Sequence, residues 1–121
     1  MPRLSDSEWQ VLTALWDSGG ASLGALVEAL RPATGWSRNT VLTYLTRMEK
    51  KGLVAIDKEG YPHRYRAALD QDACRAQERR SFLQRVYQGS AGDLVAAFLK
   101  EEPLPPEERA RLRKLLDEME V

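Results

Sequence analysis

The 121-residue sequence is poor in the residues that build metal centres and disulfides, with one cysteine, Cys74, and one histidine, His63. A single cysteine excludes an internal disulfide framework and a cysteine-based zinc cluster. A single histidine excludes a two-histidine metal site. No apolar run approaches the roughly 20 residues that a membrane-spanning helix requires, and the first residues lack the apolar stretch of a secretory signal. We therefore expect a cytoplasmic protein with no metal, no cofactor and no membrane partner.

Catalytic chemistry has little support in this sequence. His63 falls in a predicted turn without an obvious serine or cysteine partner, so nucleophilic catalysis of the Ser-His-Asp kind has no basis here. Cys74 lies beside Arg75, whose charge would lower the pKa of a thiol and allow a redox switch. A structural cysteine is the simpler interpretation. We identify no catalytic residue and expect a protein that is not an enzyme.

The net charge of zero conceals a basic segment in the middle of the chain. Residues 31–69 contain eight lysines and arginines but only three acidic residues, which gives this segment a net charge of +5. The segments before and after it carry net charges of −3 and −2. Because phosphate binding depends on where positive charge is concentrated, the middle segment is a candidate nucleic-acid surface.

Three short helices are predicted before residue 52. Ser5 and Glu8 form a capping-box pattern at the start of the first helix, and Ser22 caps the second, which Pro32 and Gly35 are expected to end. The third helix begins after Ser37 and ends at Lys51-Gly52. Its apolar residues are Val41, Leu45 and Met48 with Leu42, whereas Thr40, Thr43, Arg47 and Lys50 share a polar, basic face.

A β-hairpin is predicted after the third helix. Residues 53–56 and 64–69 alternate like strands, with Arg64 and Arg66 on the outward face, and the intervening residues form a turn. Three helices followed by a basic hairpin are typical of a winged helix-turn-helix, with the third helix as the DNA-reading element. The sequence thus predicts a mainly α fold with a small β-hairpin, in which residues 1–69 form the DNA-binding domain. The polar face and the charged hairpin each have a simpler explanation, as a solvated helix surface and as protection against strand aggregation.

Residues 70–121 are predicted to form three further amphipathic helices. Three short helices in one segment of this size cannot bury all of their apolar stripes against one another. Pairing with a second copy of the chain is the commonest way to cover such surfaces. We therefore expect a helical homodimerisation domain at 70–121. The residues expected at its interface are Phe82, Leu83, Val86, Leu94, Val95, Phe98, Leu112, Leu115, Leu116 and Met119.

The chain resembles the penicillinase repressor family, the winged-helix regulators of β-lactamase and methicillin-resistance operons. The resemblance extends over essentially the whole length. It is carried by residues 4–9 with 15–16, by 36–41 and 43–52, by 82–83 ahead of 89–90, and by 98–102 before a leucine-rich helix. It implies a homodimeric repressor that binds a palindromic operator on double-stranded DNA and blocks transcription. The residues that it implies for DNA binding are Ser37, Arg38, Thr40, Thr43 and Arg47, with Lys50, Lys51, Lys58 and Arg64 closer to the phosphates.

The resemblance also implies a mechanism of induction. In the family, a membrane-bound sensor metalloprotease relieves repression by leading to cleavage within the dimerisation domain. The matching bond in this sequence is Ala97–Phe98, where the family's known site has asparagine before the phenylalanine.

Two other functions are compatible with these patterns. One is a protein–protein adaptor that uses the winged helix without DNA. The other is a transcriptional regulator that responds to redox state or to a small molecule, with Cys74 or a pocket in the dimerisation domain as the sensor. Salt-dependent binding to duplex DNA separates the first from a repressor, and a comparison of oxidised with reduced protein tests the thiol sensor.

Overall fold

The computed structural model describes residues 3–101 and 103–119, so Met1, Pro2, Glu102, Glu120 and Val121 lie outside the described residues. Its elements in chain order are α1 (Asp6–Ser18), β1 (Ala21–Ser22), α2 (Leu23–Thr34), α3 (Arg38–Lys50), β2 (Val54–Asp57), β3 (Arg64–Ala67), α4 (Gln71–Tyr87), α5 (Ala91–Glu101) and α6 (Pro106–Glu118). This order confirms the predicted mainly α fold class. No helix among the described residues is both long and apolar enough to cross a bilayer.

Serine caps define where the first three helices begin, as predicted. The Ser5 hydroxyl accepts a hydrogen bond from the Glu8 backbone N–H at 3.2 Å, and Glu8 Oε1 accepts one from the Ser5 N–H at 2.9 Å. Ser22 and Ser37 each accept from the backbone N–H three residues later. These bonds satisfy amide groups that have no partner inside the helix.

The prediction that Pro32 ends the second helix was wrong. Pro32 lies inside α2, which continues to Thr34 and ends at Gly35. Gly35 has a φ of 65° and donates its N–H to the Arg31 carbonyl at 2.9 Å. The left-handed conformation that closes the helix suits glycine, whereas a proline in the last turn removes only one backbone donor.

The hairpin belongs to a three-stranded antiparallel sheet with the strand order β1-β3-β2. Tyr65 in β3 pairs with Ala21 on one side and Ile56 on the other. The strands near 53–56 and 64–69 were expected. The two-residue β1 was not, because its residues follow a glycine pair, include the cap of α2 and are too few to show alternation.

The hydrophobic core lies among α1, α2, α3 and the sheet. Val11, Leu12 and Leu15 from α1 meet Val41, Leu45 and Met48 from α3, and all six are at most 1% exposed. Leu42 was assigned to this apolar set, and that assignment was wrong, because its side chain is 39% exposed. Cys74, near the start of α4, is buried in the same core.

The chain divides into two compact units between Glu78 and Arg79, within α4. The sequence placed the boundary earlier, after residue 69. The first two turns of α4 belong to the first unit, which contains the buried Cys74. In the second unit, no residue in 79–101 or 103–119 is fully buried.

Candidate nucleic-acid interface

The outward face of α3 presents the residues that the sequence predicts for base reading. Thr43, Arg47 and Lys50 are exposed and Thr40 is half-buried. Three buried residues of α3, Val41, Leu45 and Met48, occupy the side that packs on the core. A shallow groove of about 260 Å³ is lined by Asn39, Thr40, Thr43, Tyr44 and Arg47. The structure thus brings Thr40, Thr43 and Arg47 together on one surface.

The hydroxyl groups of this face are engaged within the helix. Thr43 Oγ1 donates to the Asn39 carbonyl at 2.8 Å, and Thr46 Oγ1 donates to the Leu42 carbonyl at 2.9 Å. The hydroxyls of Ser37 and Thr40 hydrogen-bond each other at 3.1 Å. Thr43 therefore offers a methyl group and acceptor lone pairs to a ligand. Of Ser37 and Thr40, the hydroxyl that accepts in their shared bond keeps a proton that it can donate, as the cationic side chains also can.

Arg47 and Lys50 are the cations of this face that remain available. Neither forms an ion pair with any residue in 3–101 or 103–119. The Arg47 guanidinium is a planar fork of five N–H donors, which matches the two acceptors of guanine in the major groove. Lys50 is a point charge in the last turn of α3 and suits a phosphate.

Arg38 is separated from the threonine face and lies near the start of α2. Its Nη1 is 3.9 Å from the position that a Cβ would take at Gly24. A cleft of about 300 Å³ is lined by Ser22, Leu23, Gly24, Arg38, Tyr61, Pro62, His63 and Tyr65. Arg38 thus lines a cleft together with residues from the N-terminus of α2 and from the turn between β2 and β3.

Lys51, unlike Arg47 and Lys50, forms an ion pair within the described part of the chain, and its partner is a buried carboxylate. Its Nζ is 2.9 Å from Glu8 Oε2, and the Glu8 side chain is only 8% exposed. Burial alone would raise the pKa of Glu8, but the Ser5 backbone N–H and the Lys51 ammonium bind the carboxylate and hold this pKa below its ordinary value. Lys51 thereby connects the end of α3 to the first turn of α1.

The predicted wing cations also have partners inside the domain. Lys58 Nζ lies 3.9 Å from Glu49 Oε2, and Arg64 Nη2 donates to the Gly20 carbonyl at 2.9 Å. Arg66 was left out of the predicted set, yet it is exposed on β3 and forms no ion pair with the described residues. Its alternation with Arg64 along one strand was the signal that could have included it.

The three tryptophans and Tyr44 pack against the core of the first unit and do not form stacking platforms for bases. Trp36 stacks on Tyr44 with ring centroids 4.7 Å apart, and the Tyr44 hydroxyl lies 3.3 Å from Ser7 Oγ in α1. Trp9 and Trp16 pack against the core, and Trp16 Nε1 donates to the Leu69 carbonyl at 2.9 Å. All three tryptophans therefore stabilise the domain that carries α3.

Cys74 does not have the environment of a reactive thiol. Burial raises the pKa of Cys74, and the Asp70 carboxylate raises this pKa further. The buried position of Cys74 fits the simpler interpretation of a structural cysteine, and the lowered pKa that a redox switch would need is not found. This finding weakens the thiol-sensor alternative.

The second unit exposes most of the residues predicted for a dimer interface. Leu83 and Leu94 are half-buried, and the other eight are between 37% and 76% exposed. Leu99, at 50% exposed, belongs with them although it was not in the predicted set. The candidate cleavage bond Ala97–Phe98 lies within α5, with Phe98 exposed.

Comparisons with known proteins point to one family. The family model described as penicillinase repressor matches residues 4–118. The penicillinase repressor of Bacillus licheniformis is 30% identical over 118 residues, covering 98% of this chain and 92% of that protein. The methicillin resistance regulatory protein MecI of Staphylococcus aureus strain N315 is 28% identical over 114 residues, covering 94% of this chain and 93% of MecI.

A solved structure similar to this chain contains DNA. It is the solution structure of the monomeric form of Bacillus licheniformis BlaI in complex with the blaP half-operator. The similarity has a TM-score of 0.53 with 30% sequence identity, and it covers 59% of this chain and 87% of that one.

Proposed function

This chain belongs to the penicillinase repressor family, and from that premise we propose that it is a DNA-binding transcriptional repressor acting in the cytoplasm as a homodimer. The observation that carries the proposal is the outward face of α3, where Arg47 and Lys50 lie free of ion pairs among the described residues beside Thr40 and Thr43. The protein acts by binding and not by catalysis. Its operator is a palindrome on double-stranded DNA.

The DNA contacts divide by chemistry. Arg47, Thr43 and Thr40 face the base edges, and Ser37 at the N-terminus of α3 lies where a phosphate is favoured. Arg38 contacts the backbone beside the wing. The remaining contacts, to neighbouring phosphates, come from Lys50, Lys58 and Arg64, whereas the ammonium of Lys51 stays bound to Glu8. Phosphate contacts supply much of the affinity and the base contacts set the sequence.

Homodimerisation is supported by the second unit, where none of the apolar side chains in 79–101 and 103–119 is fully buried. Phe98, Leu116 and Met119 are each at least 59% exposed. Leu116 also lines one groove together with Val95, Leu99, Leu112 and Leu115, and contiguous apolar surface of this kind marks an interaction site. A two-fold dimer presents two copies of α3 to successive major grooves. The bound dimer then excludes polymerase from an overlapping promoter.

Release from DNA is proposed to follow cleavage of Ala97–Phe98 in response to a sensor metalloprotease. The proposal rests on the family and on the position of this bond in α5, among the residues assigned to the dimer interface. A cut there removes α6 from the chain and with it part of that interface. Operator affinity falls because two linked half-site contacts become two independent ones.

Selection of bound duplexes from a random DNA pool tests the proposed function. We expect enrichment of a palindrome with half-sites about one helical turn apart, and binding that weakens steeply with salt. Failure to bind any duplex at low salt contradicts the repressor and leaves the protein–protein adaptor as the function of the winged helix.

A further inference from the structure

One leucine of the first unit is exposed on the helix proposed to read DNA. Among residues 3–78, only Leu42, at 39%, and Tyr61, at 93%, are exposed large apolar side chains. Seven other leucines of this unit are buried, namely Leu4, Leu12, Leu15, Leu26, Leu30, Leu45 and Leu53. Both exceptions lie on the elements that the proposed function places against DNA, Leu42 on α3 and Tyr61 in the turn of the wing.

Leu42 lies on the outward side of α3, next to the polar residues. It immediately precedes Thr43, and it follows Asn39 by three residues, so the two share a helix surface. Thr46 is one turn further on, and its hydroxyl bonds to the Leu42 carbonyl at 2.9 Å. At 100° per residue, Leu42 and Arg47 flank the strip formed by Asn39 and Thr43. The face therefore has an apolar flank and a cationic flank.

We propose that Leu42 contacts the 5-methyl group of a thymine in the major groove and so specifies a T·A pair at one position of each half-site. This inference rests on the proposed function. Thymine is the base that presents an apolar group in the major groove. A leucine side chain has no polar atom to pair with a phosphate or a base edge, whereas contact with a methyl group removes apolar surface of both partners from water.

A second methyl group on the same face is the direct competitor for this role. Thr43 is exposed, and because its hydroxyl donates to the Asn39 carbonyl, its methyl group is available to a base. Thr43→Ser removes that methyl group and keeps the hydroxyl. Leu42→Ala removes the leucine contact and keeps Thr43. The two variants therefore separate the two possible readers of one thymine methyl.

The test uses the full chain and the operator obtained by selection. Each thymine of one half-site is replaced in turn by deoxyuridine, which keeps the hydrogen-bonding edge and lacks the methyl group, and affinity is measured by fluorescence anisotropy. We expect the wild-type protein to lose about fourfold in affinity at one position, the effect of one methyl-sized group. Leu42→Ala should bind the thymine and deoxyuridine duplexes with equal affinity, whereas Thr43→Ser should keep the wild-type preference for the thymine duplex.

Each other result overturns the inference. If the wild-type protein prefers its operator but no thymine is sensitive to loss of its methyl group, Leu42 does not read thymine and the repressor proposal stands. If Thr43→Ser, and not Leu42→Ala, abolishes the difference, the reader is Thr43. If the wild-type protein binds no duplex, both the inference and the proposed function fail. Circular dichroism of each variant verifies folding, which a substitution at an exposed position should preserve.

Discussion

Arg47 is the residue on which sequence-specific binding is expected to depend most. Its guanidinium is exposed on α3, forms no ion pair with the described residues, and lies beside Thr43. A bidentate contact to guanine discriminates among bases, whereas a contact to phosphate strengthens binding to any sequence. The two roles can be separated by comparing operator with random DNA.

We expect Arg47→Ala to weaken operator binding by about 1–3 kcal/mol while changing binding to random duplex much less. Isothermal titration or anisotropy on both duplexes measures the two losses. Lys50→Ala is the comparison variant, since a phosphate contact weakens both duplexes similarly. Equal losses for Arg47→Ala on the two duplexes would reassign Arg47 to the phosphates.

Lys51 illustrates how a cation in a basic segment can serve the fold. Its ammonium binds the buried Glu8 carboxylate at 2.9 Å, and this contact links the end of α3 to α1. A lysine that contacts phosphate contributes about 0.9 to the slope of log affinity against log salt concentration. We expect Lys51→Met to leave that slope unchanged. We also expect it to lower the ratio of the affinity for the operator to the affinity for random duplex. A slope reduced by about 1 would instead make Lys51 a phosphate contact.

The Glu8–Lys51 pair should also make stability depend on pH. The lowered pKa of Glu8 means that the unfolded chain binds this proton more readily. The stabilising contribution is therefore complete above the ordinary glutamate value of 4.5 and is lost as the pH falls through the lowered value. We expect Glu8→Gln, which can still complete the capping box, to lose about 1–2 kcal/mol at neutral pH. Urea unfolding gives the free energy of unfolding of both proteins, and the difference between them should be smaller at acidic than at neutral pH. A difference that does not change with pH would contradict the role of the Glu8–Lys51 pair.

At the scale of single elements, the candidate cleavage bond is expected to become accessible to a protease only when α5 opens. Ala97–Phe98 lies inside a helix that runs from Ala91 to Glu101, and opening of this helix exposes the bond to a protease. The helix contains Gly92, and a Cβ added there meets no atom within 4 Å. A more stable α5 should therefore resist cleavage.

Gly92→Ala is expected to slow proteolysis at Ala97–Phe98 about twofold, because alanine stabilises the middle of a helix relative to glycine by roughly 0.5–1 kcal/mol and Gly92, the second residue of α5, gains the lower part of that range. Incubation with a metalloprotease, with fragments identified by mass spectrometry, gives the rate. Gly24→Ala serves as the control, because Gly24 is likewise the second residue of a helix, α2, and a Cβ added there meets only Arg38 Nη1, at 3.9 Å. A rate unaffected by Gly92→Ala would show that cleavage does not depend on the opening of α5.

At the scale of the whole molecule, operator affinity should depend on pairing of the second unit. Leu115, in α6, is 48% exposed and belongs to the apolar set assigned to the dimer. A carboxylate placed in an apolar interface loses its hydration without gaining a partner. The dimer should then dissociate and lose the advantage of linked half-sites.

We expect Leu115→Glu to halve the mass measured by sedimentation and to weaken binding to the full palindrome on the order of a hundredfold. Binding to an isolated half-site should change little. Ala110→Glu adds the same charge to an exposed position on the other side of α6 and should leave the dimer intact. An unchanged mass for Leu115→Glu would remove this residue from the interface.

The sequence by itself determined the features that depend on neighbouring residues. Serine caps, the glycine that closes α2 and the apolar spacing of the helices act within a few residues, so the three helices and the strands that follow them could be predicted. The charge of the middle segment is equally a property of the chain alone. The same local patterns placed Thr40, Thr43 and Arg47 on one face, as the structure has them.

Only the tertiary structure decided which of the cationic side chains have partners inside the domain. Lys51 binds Glu8, 43 residues away, and Arg64 binds the carbonyl of Gly20, 44 residues away; neither contact has a local signature. The short strand β1 exists because β3 pairs with it. Leu42 lies within about 60° of the buried Leu45 on the helix, so periodicity could not tell core from surface there. Packing against α1 and α2 sets the rotation of α3 about its own axis, and that rotation turns Leu42 outward.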